Sequence, residues 1–261
     1  RQRQMCIRDR PGVNRLSIKD VVDHARQAVD LNIPAIALFP RIDPANKTDD
    51  GSHAHDPGNL ICRCISAVRD NVPGLGIITD VALDPFTSHG HDGVIIDGRV
   101  ANDETIDVLV RQAITQARAG ASVIAPSDMM DGRIGAIRAG LDAEGFTDVM
   151  IMAYAAKFSS SFYGPFRDAV GAGKTANTIG KDTYQIDPSN SDEAMREIAL
   201  DISEGTDFII VKPGMPYLDI IQRASSSYAI PIIAYQVSGE YAMIEALSLI
   251  HISEPTRPLY I

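Results

Sequence analysis

The feature that most constrains this chain is a sixfold alternation. Short apolar runs ending in polar residues, glycine or proline are separated by segments with helical periodicity. The runs cover residues 33–40, 75–81, 121–126, 149–154, 208–211 and 230–235. Helical patterns cover residues 17–31, 59–70, 104–119, 134–144, 191–204 and 217–226, with Ser17 placed to cap the first. Repeated strand–helix–strand order favours a parallel sheet, either a (β/α) barrel or a doubly wound sheet. A closed TIM barrel has eight strands, so on the barrel reading, which the strand count alone does not choose over the doubly wound sheet, the six runs make an incomplete (β/α)8 barrel.

The 261 residues suffice for one large core and one domain. The first ten residues, RQRQMCIRDR, and the tail from Ser248 carry no periodicity that continues the domain. Both are read as foreign, with the appearance of translated adapter read-through, so the catalytic domain is expected over residues 11–247 as part of a longer protein. A charged fraction of 22% and an apolar fraction of 45% are those of an ordinary globular protein, with neither a transmembrane stretch nor a signal-peptide pattern. A cytoplasmic location is the resulting expectation. Lys and Arg number 24 against 34 Asp and Glu, and this net charge of −10 argues against nucleic-acid binding as a general role. Cys6, Cys62 and Cys64 suggest neither a disulfide framework nor a zinc cage.

In parallel βα folds the strand C-termini and the loops after them face the ligand, so polar residues there are the first candidates for chemistry. Five of the six runs lead into such residues: Asp80; Ser127 and Asp128; Lys157; Lys212; and Gln236 with Ser238. Lys212 precedes Pro213, which keeps it extended, and it shares strand parity with Phe208 and Ile210. Lys157 shares parity with Ile151, Ala153 and Ala155, and these small residues are expected to face inward and leave room for it. Two amines in one barrel mouth disfavour each other's ammonium form, and partial burial adds to this, freeing the neutral nucleophile that attacks a ketone. Salt bridges are the alternative role for both lysines. His53, His55, His89 and His91, in GSHAHD and SHGHDG, read as loop residues rather than metal ligands.

The segments MAYAAKFSSSFYGPFRDA around Lys157 and VKPGMPYLDI around Lys212 resemble the two lysine segments of the porphobilinogen synthase (5-aminolevulinate dehydratase) family. PGVNRLS, ITDVALDPFTSHGHDG, APSDMMDGRIGAIR and YQVSGEYAM extend the resemblance, in the family's order, over nearly all of residues 11–247. It implies condensation of two 5-aminolevulinate molecules through Schiff bases, Lys212 holding the propionate-side substrate and Lys157 the acetate-side one. Asp80 and Ser127 match the residues that assist proton transfer; Arg167, Lys181 and Gln185 match acetate-side carboxylate binders, and Ser238 a propionate-side one. Phe166, Tyr235 and Asp92 fall among the substrate contacts, Asp92 toward the substrate amine. Residues 171–183, GAGKTANTIGKDT, match a lid that carries Lys181. Where many relatives place three zinc-binding cysteines, this chain has Ala82, Asp84 and Asp92, so no active-site zinc is expected. The resemblance is instead to the aspartate-rich branch, which implies an allosteric magnesium at Glu197 and leaves room for a monovalent ion near the active site. It also implies a homo-octamer, a state in doubt for a chain without the family's N-terminal arm. Two rivals stand beside this reading. A class I aldolase would use one imine-forming lysine, and a truncated fragment would be inert.

Overall fold

The computed structural model describes residues 14–163 and 179–250, apart from the side chains of residues 248–250. Its frame is a parallel sheet in which each strand is followed by a helix on the outer face. The elements in chain order are α1 (Ile18–Asp30), β1 (Ala35–Leu38), α2 (Leu60–Asn71) and β2 (Gly76–Val81). A small antiparallel hairpin, β3 (Ile95–Ile96) and β4 (Arg99–Val100), then leads to α3 (Asn102–Ala119). After it come β5 (Val123–Pro126), α4 (Arg133–Ala143), β6 (Met150–Lys157) and α5 (Ser191–Ser203). The chain continues with β7 (Phe208–Lys212), α6 (Leu218–Ser227), β8 (Ile232–Ala234) and α7 (Ser238–Ile250). Among the described residues no helix is long and apolar enough to cross a membrane.

All six apolar runs lie in one sheet of order β1-β2-β5-β6-β7-β8, every pair parallel. The sheet curls. The Phe39 ring just past β1 meets the Tyr235 ring just past β8 edge-on, centroids 6.3 Å apart, so the first and last strands converge at the C-terminal mouth. Strand alternation sorts the apolar side chains into two layers. Ile124, Ile151, Ile209 and Val211 join the large cluster beneath the helices, whereas Val123, Ala125, Met152, Tyr154 and Ile210 form a smaller cluster inside the curl. Helix starts follow local chemistry as expected: Ser17 and Asp20 form a reciprocal capping box, and Asn59 accepts from the Cys62 N–H at 2.9 Å.

The structure corrects the expectation for β6. Ile151, Ala153 and Ala155 do not line the interior; they pack in the helix-side cluster, and the inward residues are Met152 and Tyr154. Strict alternation would then turn Lys157 out toward the helices. A register shift between Ala153 and Ala156 prevents it: Ala153 pairs with Ile209 and Ala156 with Val211, so β6 carries one residue more than β7 over that stretch. Such a bulge inverts the parity of whatever follows it. Lys157 therefore points inward and stands directly beside Lys212 in the ladder. The strand also runs three residues beyond the expected end at Tyr154. The hairpin and α7 were not anticipated, and α7 continues past the expected domain boundary at Leu247 to Ile250.

Candidate active site

Five strand ends supply the site. Lys212 continues the inward parity of Phe208 and Ile210 and lies 6% exposed under three aromatic rings. Its Nζ sits 4.5 Å from the ring centre of Tyr235, 5.1 Å from that of Tyr154 and 5.4 Å from that of Tyr163. The Tyr163 hydroxyl lies 2.6 Å from the Phe158 carbonyl oxygen and 3.1 Å from that of Lys212, which pins the ring against the end of β7. Burial, then the neighbouring Lys157, pull the Lys212 amine down from 10.5 to about 7, against the opposing pull of Asp80, Asp84 and Asp92. The ring faces attract a cation and so oppose this fall in part.

Lys157 is held differently. Its Nζ donates to Asp92 Oδ2 at 3.0 Å and to the carbonyl oxygen of Ser127, and its side chain is buried. Asp92 is fully enclosed and also receives Lys181 Nζ on Oδ1 at 2.5 Å, while Lys181 lies 3.4 Å from Asp84 Oδ2. Burial alone would raise the Asp92 carboxyl, yet Lys157 and Lys181 together hold it down at about 2. Asp84 and Asp92 thus converge on Lys181. Gly93 lets the Asp92 loop seat closely, because a Cβ there would fall 2.6 Å from Thr105 Oγ1 and 2.7 Å from Val100 Cγ1. Asp80 stands inward at the end of β2, pushed up to about 6 by burial and by Asp84, with Lys212, a Ser127 hydrogen bond and Lys157 pulling the other way. Gln112 and Gln116 of α3 donate to the carbonyls of Ala82 and Asp80 at 3.3 and 3.2 Å, fixing that strand end from behind.

The segment carrying Lys181 and Gln185 is tied to the end of β6. Ile186 N–H donates to the Lys157 carbonyl at 3.1 Å and Ser159 N–H to the Ile186 carbonyl at 2.9 Å. Gln185 is buried beside it, its Oε1 without a hydrogen-bond partner among the described residues. Ser238 is buried at the start of α7. Glu240, two residues on, accepts from Val237 and Met215 N–H groups at 2.6 Å each, which locks the loops after β8 and β7 together. Arg167 and Phe166 lie outside the described residues, as does most of the expected lid. His89 and His91 are loop residues as read: His89 Nε2 lies 3.1 Å from the Asp49 carbonyl oxygen and His91 Nδ1 3.3 Å from the Tyr184 hydroxyl. Glu197 sits apart on α5, half-buried. Sequence reasoning missed Tyr154 and Tyr163. Both lie inside the motif quoted around Lys157, and the signal for Tyr154 was its place on the opposite parity from Ile151.

The profile of the family described as "Delta-aminolevulinic acid dehydratase" matches residues 1–254. The chain belongs to the delta-aminolevulinic acid dehydratase family. It is 59% identical over 240 residues to a delta-aminolevulinic acid dehydratase of Bradyrhizobium diazoefficiens, covering 92% of this chain and 68% of that protein. It is 50% identical over 238 residues to the chloroplastic enzyme of Oryza sativa, covering 90% of this chain and 55% of the relative. The chain thus spans between about half and about two thirds of these family members. A solved delta-aminolevulinic acid dehydratase from Toxoplasma gondii, in complex with the reaction product porphobilinogen, superposes with a TM-score of 0.93 at 45% identity, covering 97% of this chain and 72% of that one. The curled six-stranded sheet is accordingly the greater part of the family's TIM barrel.

A pH dependence follows for this member of the delta-aminolevulinic acid dehydratase family. With Lys212 near 7, the rate of imine formation with a keto acid is expected to rise through neutral pH and level off above about 8, whereas an ordinary lysine keeps gaining up to about 10.5. Borohydride trapping at Lys212, timed across that pH range, measures this. The same depression means the unfolded chain binds this proton more tightly, so Lys212 disfavours folding most at and below pH 7 and is relieved as pH rises toward 10.5.

Proposed function

We propose that this chain carries the condensing site of a porphobilinogen synthase, which joins two 5-aminolevulinate molecules into porphobilinogen. The observation that carries the proposal is the ladder pairing of Lys157 with Lys212 at the mouth of the curled sheet, one amine close to neutral and the other parked on Asp92. Each Nζ adds to a substrate ketone and expels water, and the resulting imine draws electrons from the adjacent carbon. One imine loses a C–H proton to become an enamine, whose carbon adds to the imine carbon of the other substrate. The lysine on that carbon leaves by elimination as a second C–H proton is lost. The free amine of that substrate then attacks the remaining imine carbon and displaces the other lysine, and loss of a further C–H proton gives the pyrrole. Two substrates yield one porphobilinogen and two waters, and both lysines are regenerated. Asp80, held near 6 and hydrogen-bonded to Ser127, is suited to pass protons at neutral pH. Lys181, Gln185, Ser238, Tyr235, Arg167 and Phe166 complete the proposal as substrate contacts. A class I aldolase needs one imine and leaves the second lysine idle.

The test is incubation with levulinic acid and borohydride followed by peptide mass analysis, with porphobilinogen colour as the turnover assay. An adduct on Lys157 or Lys212 is expected; a chain unmodified at both would end the proposal in favour of an inert fragment.

Magnesium at Glu197 belongs to the same proposal. Burial, followed by Asp131 and Asp201, raises the Glu197 carboxyl against the pull of Arg133 and Arg196, and a hydrated divalent cation would relieve that crowding of negative charge. Among the described residues no group of three His, Cys, Asp or Glu could hold a metal, so water would supply most of the ligands. Added magnesium is expected to raise the thermal midpoint of the chain by a few degrees, and Glu197→Gln to abolish that rise; equal shifts in both proteins would remove Glu197 from the proposal. A homo-octamer and a cytoplasmic location complete it. The first is supported by Leu218 and Leu247, 63% and 59% exposed apolar side chains suited to burial against another chain, and is checked by light scattering.

A further inference from the structure

Behind the site, and outside the reaction just described, lies a buried ionic triad. Arg133 at the start of α4 is 2% exposed. Its Nη1 and Nη2 donate to Asp201 Oδ1 and Oδ2 of α5, both at 3.0 Å, a two-pronged fork. Its Nε faces Asp128 Oδ1 at 3.7 Å, and neither atom has a hydrogen-bond partner among the described residues. The remaining contacts reach backbone: Nη1 to the Met130 carbonyl at 3.3 Å and Nη2 to the Tyr154 carbonyl at 3.5 Å.

Those two carbonyls matter because of where they sit. Tyr154 lies within the stretch where β6 takes its extra residue, the irregularity that turns Lys157 inward. Met130 closes the turn after Ser127: Asp128 Oδ2 accepts the Met130 N–H at 2.8 Å, and Met129 between them has φ +74°, a conformation a non-glycine residue adopts only when its surroundings impose it. The carbonyl of Ser127 receives the Lys157 ammonium. One guanidinium thus grips both the bulge that aims Lys157 and the turn that receives it. The inward direction of Lys212 depends on neither, because it follows unbroken alternation on β7; only the Tyr154 ring over it and the charge of Lys157 beside it reach it from β6.

We infer that Arg133, with Asp128 and Asp201, is a positioning residue for Lys157, acting through the β6 bulge and the Ser127–Met130 turn and leaving Lys212 in place. The inference rests on the two-lysine reading above. It separates two roles that a purely structural residue would join, since general loss of packing would disable both lysines together.

The experiment is borohydride trapping of 5-aminolevulinate on the full chain, with adducts quantified separately at the two lysines for wild type, Arg133→Lys and Asp201→Asn. Lysine keeps the charge and loses the fork; asparagine keeps the shape and loses the charge, so two independent variants interrogate the triad if one fails to fold. The expected result is adduct at both lysines in the wild type, with Lys157 trapping lowered about a hundredfold in a folded variant and Lys212 trapping within about threefold of wild type, since a displacement near 1 Å carries a penalty of that order. Parallel loss at both lysines, no loss at either, loss of fold in both variants, or a wild type that labels only Lys212 would each overturn the inference. Wild-type protein that labels at neither lysine would instead sink the Schiff-base reading itself.

Discussion

Replacing Lys212 with methionine is expected to lower porphobilinogen formation by about a thousandfold or more, because it removes a covalent nucleophile and not a binding contact. Methionine has similar bulk, and the three tyrosine rings around the position can pack against it, so the chain should fold as before. Turnover by colour assay, with circular dichroism as the control for folding, checks both halves. A Lys212→Met protein that keeps most of its activity would leave the Schiff-base chemistry without its first nucleophile. Arginine in place of Lys212 tells the same story from the other side: it retains a cation where the surroundings disfavour one and cannot form an imine, so loss of turnover accompanied by loss of stability is expected.

Arg133→Met should produce the largest change in stability, about 3–5 kcal/mol, since it strands two buried carboxylates rather than merely deleting a contact. Asp128 is pushed up to about 6 by burial even with Arg133 opposing, and Asp201 is raised for the same reason. Without the guanidinium both are expected to rise further. The sign is fixed by linkage: a carboxyl that holds its proton more tightly in the folded chain than in the unfolded one favours folding at low pH, and that advantage disappears as pH climbs past 3.8 toward its folded value. The deficit of Arg133→Met relative to wild type should therefore be small near pH 4 and, for Asp128, open above about pH 6, where the wild-type carboxyl ionises and the variant's does not. Urea unfolding at pH 4 and pH 7 measures it. An equal deficit at both values would mean that lost packing, and not the stranded charges, is responsible. Replacing all three residues with apolar ones of similar size should restore much of the stability, because the whole triad is then gone and no single charge is left behind.

The six β–α units were legible in the chain because the signals are local. An apolar run ended by Asp80, Ser127 or Lys212 reads as a strand leading to a functional edge whatever its neighbours do, and Ser17 and Asn59 announce helix starts within a turn of themselves. The two lysines, Asp80 and Ser127 could be named for the same reason, from strand ends and from motifs continuous in sequence. Hairpin β3–β4 was missed because two-residue strands carry too little pattern to register.

What only the tertiary structure decided is direction and partnership. Parity along residues 150–157 places Lys157 with the helix-facing residues; the bulge that reverses it exists only relative to β7, and no residue within β6 reveals it. Asp92 meets Lys157 across 65 residues of sequence and Lys181 across 89, and Arg133 meets Asp201 across 68. Pairings at such separations arise from how the strands order and curl, and so do the shifts of the Lys212 amine and the Asp80 carboxyl, which depend on burial and on charges brought in from other strands. Residue identity supplied the reactive groups; their nucleophilicity and aim came from desolvation and register, two quantities that have no value until the chain has closed around them.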